Sequence, residues 1–368
     1  MPEKEMSTPN ETGRRIRPVR TSSFGTRPRL RPGSTPQKSI IKTQPEDLVL
    51  DQTLRPSNFD EFVGQEKIKQ NLKIMIQAAL KRKEPLEHIL IHGPSGLGKT
   101  TLAHIISKEI RGNLKITSGA ALEKAGDIAA VLTNLQNGDV FFIDEVHRLN
   151  RLIEEVLYPA MESFKLDIVI GKGASAKTIQ INLSRFTLIA ATTRIALLSS
   201  PFRSRFGVNY RLNFYHRKDI EKIVQRSAKL LKIKIDDPAR EMIALASRST
   251  PRIANKLLKR TRDLAQVRGG NKITAGVVKE TLKLLDIDEL GLEGTDRRIL
   301  DAIINKFDGG PVGIKTIAAS IAEEEETIED VCEPYLMQIG FLARTPKGRI
   351  ATKSALEHLK SGQLDQLD

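Results

Sequence analysis

The sequence predicts an α/β chain: a parallel-sheet domain, then a small helical domain, then a C-terminal winged-helix unit. Three observations predict it. The glycine-rich stretch Gly93-Pro94-Ser95-Gly96-Leu97-Gly98-Lys99-Thr100 follows the apolar run Ile89-Leu90-Ile91, and after it Leu102, Ile105, Ile106 and Ile110 recur at helical spacing. A second apolar run, Val140-Phe141-Phe142-Ile143, delivers Asp144-Glu145 to its C-terminal end, the edge where parallel α/β sheets place ligands. From Phe214 onward strand signals vanish and helical periodicity replaces them.

Residues 1–45 hold seven Arg and three Lys against three Glu, so half of the net charge of +14 lies there, with seven of the 17 Pro. This tail has too few large apolar residues to repay the entropy of folding and is expected to be disordered. Two roles stay open for it, non-specific contact with polyanions and simple solubilisation.

Order is expected from Glu46, where Leu48, Val49, Leu50 and Leu54 bring apolar residues back, so the sheet domain is assigned to residues 46–213. Ile68, Leu72, Met75, Ile76, Ala79 and Leu80 form one stripe of a helix. Alternation at Leu166, Ile168 and Ile170, and again at Ile179, Ile181 and Leu183, predicts a hairpin with Gly171 and Gly173 near its tip. Phe186 to Ala191 predicts a third buried strand, ending at Thr192-Thr193-Arg194. The helical domain is assigned to 214–287, with Asp237-Pro238 as cap and first helical residue, a stop at Gly269-Gly270 and a cap at Thr274. In the last unit, 288–368, helices are expected at Asp296–Phe307, Ile314–Ile321 and Thr327–Ile339, then a β ribbon.

No apolar run approaches the ~18 residues that span a bilayer, and no secretory signal pattern opens the chain, so a cytoplasmic protein is expected. Cys332 is the sole cysteine and reads as a small buried hydrophobe. His147 has no second histidine or cysteine nearby and reads as structural.

The motifs point to nucleotide chemistry. Glycines let backbone N–H groups turn onto phosphates at a helix N-terminus, Lys99 adds a cation near the β and γ phosphates, and Thr100 offers a hydroxyl to magnesium. Alone, an Asp-Glu pair after a strand is a solvated helix start. Beside a phosphate loop it reads as a Walker B site, with Asp144 serving the magnesium and Glu145 orienting and deprotonating an attacking water. The third winged-helix helix carries Glu323 to Glu326, Glu329, Asp330 and Glu333, so pressing it into DNA would bring carboxylates toward phosphates. Cations sit on the ribbon instead, as Arg344, Lys347 and Arg349.

Phosphate loop, Asp144-Glu145, Thr193, Arg203 and Arg205, a helical lid and Thr250-Pro251-Arg252 together resemble a P-loop AAA+ ATPase. Leu54-Arg55-Pro56, Phe142 to Arg148, Ala191 to Arg194 and Gly340 to Pro346 narrow the resemblance to the RuvB family of Holliday-junction branch-migration motors, over roughly residues 46–360. The resemblance implies ATP and Mg2+ as cofactors. It places Leu54 and Arg55 at the nucleotide base through backbone, Gly96, Gly98, Lys99, Thr100 and Thr101 at the phosphates, and Thr100 with Asp144 at the magnesium. Glu162, Ser163 and Phe164 would also belong to the ATP site, Thr193 would be the first sensor, where many AAA+ proteins have Asn, and Arg252 the second. Tyr215 resembles a nucleotide-site residue, with interdomain packing as the alternative. Arg205 would be an arginine finger acting on a neighbouring subunit's ATP, with Arg203 able to share the role, and so implies a homohexameric ring. The hairpin would dock a RuvA-like junction-binding partner, unless it serves ordinary packing. Arg344 and Arg349 would touch duplex DNA of a four-way junction on which a RuvC-like resolvase also acts. A nucleotide-gated DNA-binding switch and a clamp-loader or protein-remodelling subunit are the rival readings.

Overall fold

The computed structural model describes residues 53–170 and 177–364. The expected tail, Leu48 to Leu50, and the hairpin-tip residues Gly171 and Gly173 lie outside the described residues. In chain order the first domain has strands Ile89–His92 (β1), Leu114–Ser118 (β2), Val140–Asp144 (β3), Lys165–Ile170 (β4), Lys177–Asn182 (β5), Thr187–Thr192 (β6) and Val208–Arg211 (β7). Five of them form one sheet in the order β2-β3-β6-β1-β7, every neighbour parallel, while β4 and β5 pair antiparallel as the expected hairpin.

Period-two alternation splits the central strands between two apolar layers. Ile89, Ile91, Val140, Phe142, Ile189 and Ala191 face one core; Leu90, Phe141, Ile143, Leu188 and Ala190 face the other. The first core takes in helix Glu66–Arg82 through Leu72 and Ile76, and runs on without a break into lid residues Ile220, Val224, Leu257 and Leu258. The second is closed by helices Ala125–Thr133 and Arg151–Ser163. The outer strands β2 and β7 went unforeseen, because an edge strand such as Leu-Lys-Ile-Thr-Ser need not be apolar on both faces; Ile116 within it is half exposed.

The lid consists of helices Arg217–Leu230, Asp237–Ala246, Pro251–Val267 and Ala275–Leu284. Its connections contain two-residue strands, Lys234–Ile235 (β8) and Lys272–Ile273 (β9), paired in parallel, where no strand was expected. The cap of the second helix is Asp236, not Asp237: its carboxylate accepts the Ala239 N–H at 2.9 Å, which moves Pro238 to the second helical position. Thr274 does precede the last lid helix, without a side-chain capping bond.

The winged-helix unit has its own core around Ile299, Ile303, Ile317, Leu336 and Phe341. Its first helix begins at Gly294, two residues before the expectation, because Glu293 and Asp296 form a reciprocal capping box. Ile314–Ile321 follows. The acidic helix runs through Glu325–Thr327, Ile328–Cys332 and Glu333–Gln338, its middle part wound as π-helix. The ribbon is Leu342–Thr345 (β10) against Gly348–Ala351 (β11), and a final helix, Lys353–Leu364, was not anticipated. Cys332 is buried, and burial together with the nearby Asp296 carboxylate pushes its thiol up. Among the described residues no helix is long and apolar enough to cross a membrane.

Candidate nucleotide site

The glycine-rich loop leaves β1 and turns into helix Lys99–Glu109. Gly96 and Gly98 hold φ of 81° and 101°, a region that favours glycine, and a Cβ on Gly96 would stand 3.1 Å from the Cβ of Arg252. The Lys99 ammonium is nearly buried and donates to the carbonyls of Gly93 at 2.8 Å and Pro94 at 2.9 Å. Burial pulls it down to about 8, a shift that Asp144 and Glu145 partly oppose and that a phosphate would oppose further.

Walker B lies alongside. β6 separates β1 from β3, and the Thr100 hydroxyl crosses to donate to Asp144 Oδ2 at 2.9 Å. One hydroxyl and one carboxylate oxygen at that spacing suit magnesium, which takes hard oxygens and keeps waters and phosphates as its other ligands. Among the described residues no cluster of three or more His, Cys, Asp or Glu offers a cage of another kind. Glu145 holds a left-handed φ of 48°, and only because Gly119 lacks a side chain can its carbonyl sit where it does, 2.5 Å from where that Cβ would be. Its carboxylate is half exposed and pairs with Arg148 Nε at 3.1 Å.

Thr193 stands just past β6, between the two Walker strands. Its neighbour Thr192 is locked: the Thr192 hydroxyl lies 2.9 Å from His147 Nδ1 and accepts the Arg194 N–H at 2.9 Å. His147 thus braces the strand end, and burial lowers its pKa.

The lid closes over the loop. Arg252 donates from Nη1 to Ser95 Oγ at 3.0 Å and from its backbone to Gly96 O at 3.4 Å. Tyr215 is buried, its hydroxyl donating to Leu97 O at 3.2 Å, so it supports the loop from beneath. Arg226 of the first lid helix donates to Leu54 O at 2.9 Å and Arg55 O at 3.5 Å, and pairs with Glu61 at 2.8 Å. Sequence reasoning missed Arg226, because a single cation on a lid helix gives no local sign of which distant carbonyls it meets.

Arg205, Glu162, Ser163 and Phe164 gather elsewhere. Gly207 donates to His88 O, just before β1 begins, so Arg205 sits at the N-terminal edge of the sheet, whereas the phosphate loop sits at the C-terminal edge. Two features of the sequence hold the arginine there. Ser199 caps the short helix Ser200–Arg203 and is itself anchored on buried Glu154, and Phe202 is fully buried with Phe206 packed edge-on at 5.1 Å. Arg205 pairs with Glu162 at 3.1 Å, donates to Pro201 O at 2.6 Å and lies 4.1 Å over the Tyr158 ring. Phe164 packs edge-on against Phe186 at 5.8 Å. Arg205 is therefore brought to Glu162, with Ser163 and Phe164 next along the chain, at the sheet edge away from the phosphate loop of their own chain.

Residues 54–212 match the Holliday junction DNA helicase RuvB P-loop domain, 215–288 the RuvB AAA lid domain and 289–360 the RuvB C-terminal winged helix domain. The chain belongs to the RuvB family. Thermotoga maritima RuvB, described as a Holliday junction branch migration motor, is 50% identical, with a TM-score of 0.78 over 84% of this chain and 99% of that one. An arginine-to-alanine variant of the same protein is likewise 50% identical, at 0.77 over 83% and 98%. Family membership establishes an AAA+ P-loop ATPase of the helicase class with a parallel-sheet domain, a lid and a winged helix.

In that third domain the two ribbon arginines differ. Arg344 is exposed and stands 3.7 Å from Glu329. Arg349 turns inward: its guanidinium is 9% exposed and is paired through two bonds with buried Glu333. The expectation that both face DNA is corrected in this respect, because a buried carboxylate claims the second one.

Proposed function

We propose that the chain is one subunit of a homohexameric ring that encircles duplex DNA and uses ATP hydrolysis to move a four-way junction. One observation carries the reading: Arg205 lies at the sheet edge opposite its own phosphate loop, held by Glu162, so the triphosphate within its reach is a neighbour's. Lys99 and the loop N–H groups bind the β and γ phosphates, and the Leu54–Arg55 backbone, held by Arg226, borders the base. Magnesium held by Thr100 and Asp144 would neutralise charge on the phosphates. Glu145 orients water toward the γ phosphate, Thr193 and Arg252 contact that phosphate, and Arg205 from next door stabilises charge in the transition state.

The winged helix contacts the duplex backbone through Arg344. The hairpin of β4 and β5 projects from the sheet domain as the docking element for a RuvA-like junction-binding protein, and a RuvC-like resolvase would work on the same junction. The acidic third helix does not read bases. A cytoplasmic location fits this role, with domain limits near 213 and 287.

Subunit mixing tests the reading. Arg205→Ala binds ATP and fails to hydrolyse it, since a finger supplies roughly 10³- to 10⁵-fold in rate. Lys99→Ala neither binds nor hydrolyses. Mixed together, the two inactive proteins regain part of the ATPase activity, because an intact finger meets an intact loop across the interface. Near-normal turnover by Arg205→Ala alone, or no recovery on mixing, rejects the finger in trans.

A further inference from the structure

The acidic helix of the winged-helix domain is turned into the protein. Its π-wound stretch Ile328–Cys332 presents two consecutive residues to the two sensor regions of the ATPase. Arg194, directly after Thr193, donates from Nε to Asp330 Oδ1 at 2.6 Å, with Glu326 3.6 Å from Nη1. Arg248, four residues before Arg252, is buried, pairs through both terminal nitrogens with buried Asp296, and donates to Val331 O at 3.0 Å. Arg248 and Ser249 hold left-handed φ of 52° and 54°, a conformation that non-glycine residues keep only where the surroundings impose it. π segments are rare and concentrate at functional positions. Here one carries contacts to the residue after Thr193 and to the residue four before Arg252.

The same helix also reaches the wing. Glu329, next to Asp330, is the partner of wing residue Arg344 at 3.7 Å, and both side chains are about half exposed. An exposed pair of this kind is weak, and a DNA phosphate competes readily with the carboxylate. Arg344 thus has two arrangements, on Glu329 or on a phosphate, and the choice alters the field at Asp330, which holds Arg194.

We propose that Arg194 is a positioning residue for ATP hydrolysis: bonded to Asp330, it sets where Thr193 stands according to how the winged helix is seated, so that duplex DNA at the wing is felt at the γ phosphate. The inference rests on Thr193 as a sensor and on Arg344 as a DNA contact. Arg194 acts through Thr193 and touches no substrate itself.

The test uses the full chain and measures steady-state ATPase with and without linear duplex. Arg194→Glu and Asp330→Arg each lose most of the duplex-dependent rise in kcat, an effect of roughly 2- to 30-fold for coupling of this size, while ATP KM and duplex affinity change by less than about twofold. The double variant Arg194→Glu/Asp330→Arg, which restores the pair with its signs exchanged, recovers the rise. Asp330→Asn, a milder change that keeps the shape, shows the same loss should a reversed charge prevent folding. A wild-type kcat that ignores duplex, an unchanged response in Arg194→Glu, failure of the double variant to recover, or equal loss with and without duplex each overturns the proposal. Thr193→Val is the separate control: hydrolysis at the wild-type rate in that variant sinks the sensor reading itself, whereas slow hydrolysis there with a normal response in Arg194→Glu sinks only the coupling.

Discussion

At the scale of single residues, the same residue type does opposite work a few positions apart. Arg349 and Arg344 lie on facing positions of β10 and β11, yet one is spent on a buried carboxylate and the other is open to solvent. Arg349→Ala leaves Glu333 buried and unpaired and is expected to destabilise the winged helix by about 3–5 kcal/mol, read by chemical denaturation. Arg344→Ala should stay within about 0.5 kcal/mol of wild type. Its loss appears instead as weaker duplex binding, with the log–log salt slope reduced by about 0.9. His88 gives a second prediction. Its Nδ1 accepts the Leu188 N–H at 2.9 Å, so its Nε2 carries the proton shared with Met161 O at 3.0 Å, and burial lowers its pKa. Because the folded value lies below the unfolded one of about 6.5, stability is full above that pH and falls as acid protonates the unfolded chain preferentially, by up to about 1.4 kcal/mol per pH unit. His88→Gln should flatten that slope between pH 6.5 and 5, and a slope unchanged from wild type would count against the assignment.

At the scale of elements, the phosphate loop and the lid helix Pro251–Val267 are fitted to each other at one glycine. Gly96→Ala meets both a left-handed φ and the Arg252 Cβ, which no rotamer change of Arg252 can move away. A left-handed conformation costs a non-glycine residue about 1–2 kcal/mol, so ATP affinity should drop roughly 5- to 30-fold even though no phosphate ligand has been removed. Equilibrium titration with a fluorescent nucleotide checks this, and an affinity equal to wild type would mean that the lid yields freely. The segment before Arg205 follows the same logic of fit: Ser199, Glu154 and Phe202 fix a four-residue helix too short to persist without them.

At the scale of the whole molecule, one apolar core joins sheet domain and lid, whereas the winged helix keeps a separate core and meets the other two through the ion pairs Arg194–Asp330 and Arg248–Asp296. Arg248 and Asp296 are the buried part of that attachment, and burial raises the Asp296 pKa even with Arg248 beside it. Such a pair gives little net stability but is costly to break on one side. Arg248→Met should therefore cost about 3–5 kcal/mol and split the denaturation curve as the winged helix loosens first, while Arg248→Met/Asp296→Leu should regain most of the loss. A single unbroken transition in the first variant would show that other contacts hold the domain.

Amino-acid order carried whatever depends on local pattern. The buried strands β1, β3 and β6, the glycine loop, Asp144-Glu145 and the hairpin were all legible, because strands covered on both faces must be continuously apolar and phosphate cradles need glycine and lysine at fixed spacing. Edge strands β2 and β7 and the final helix were not, since half-exposed elements need no strong apolar pattern. Folding chose the partners of charges. That Arg205 belongs to the edge away from its own loop, that Arg226 grips Leu54 and Arg55, that Glu333 takes Arg349 inward and that Asp330 meets Arg194 are pairings between segments 16 to 172 positions apart. A charged side chain looks the same in sequence whether water or a distant carboxylate satisfies it, and only the folded chain sets which of the two is near enough to win.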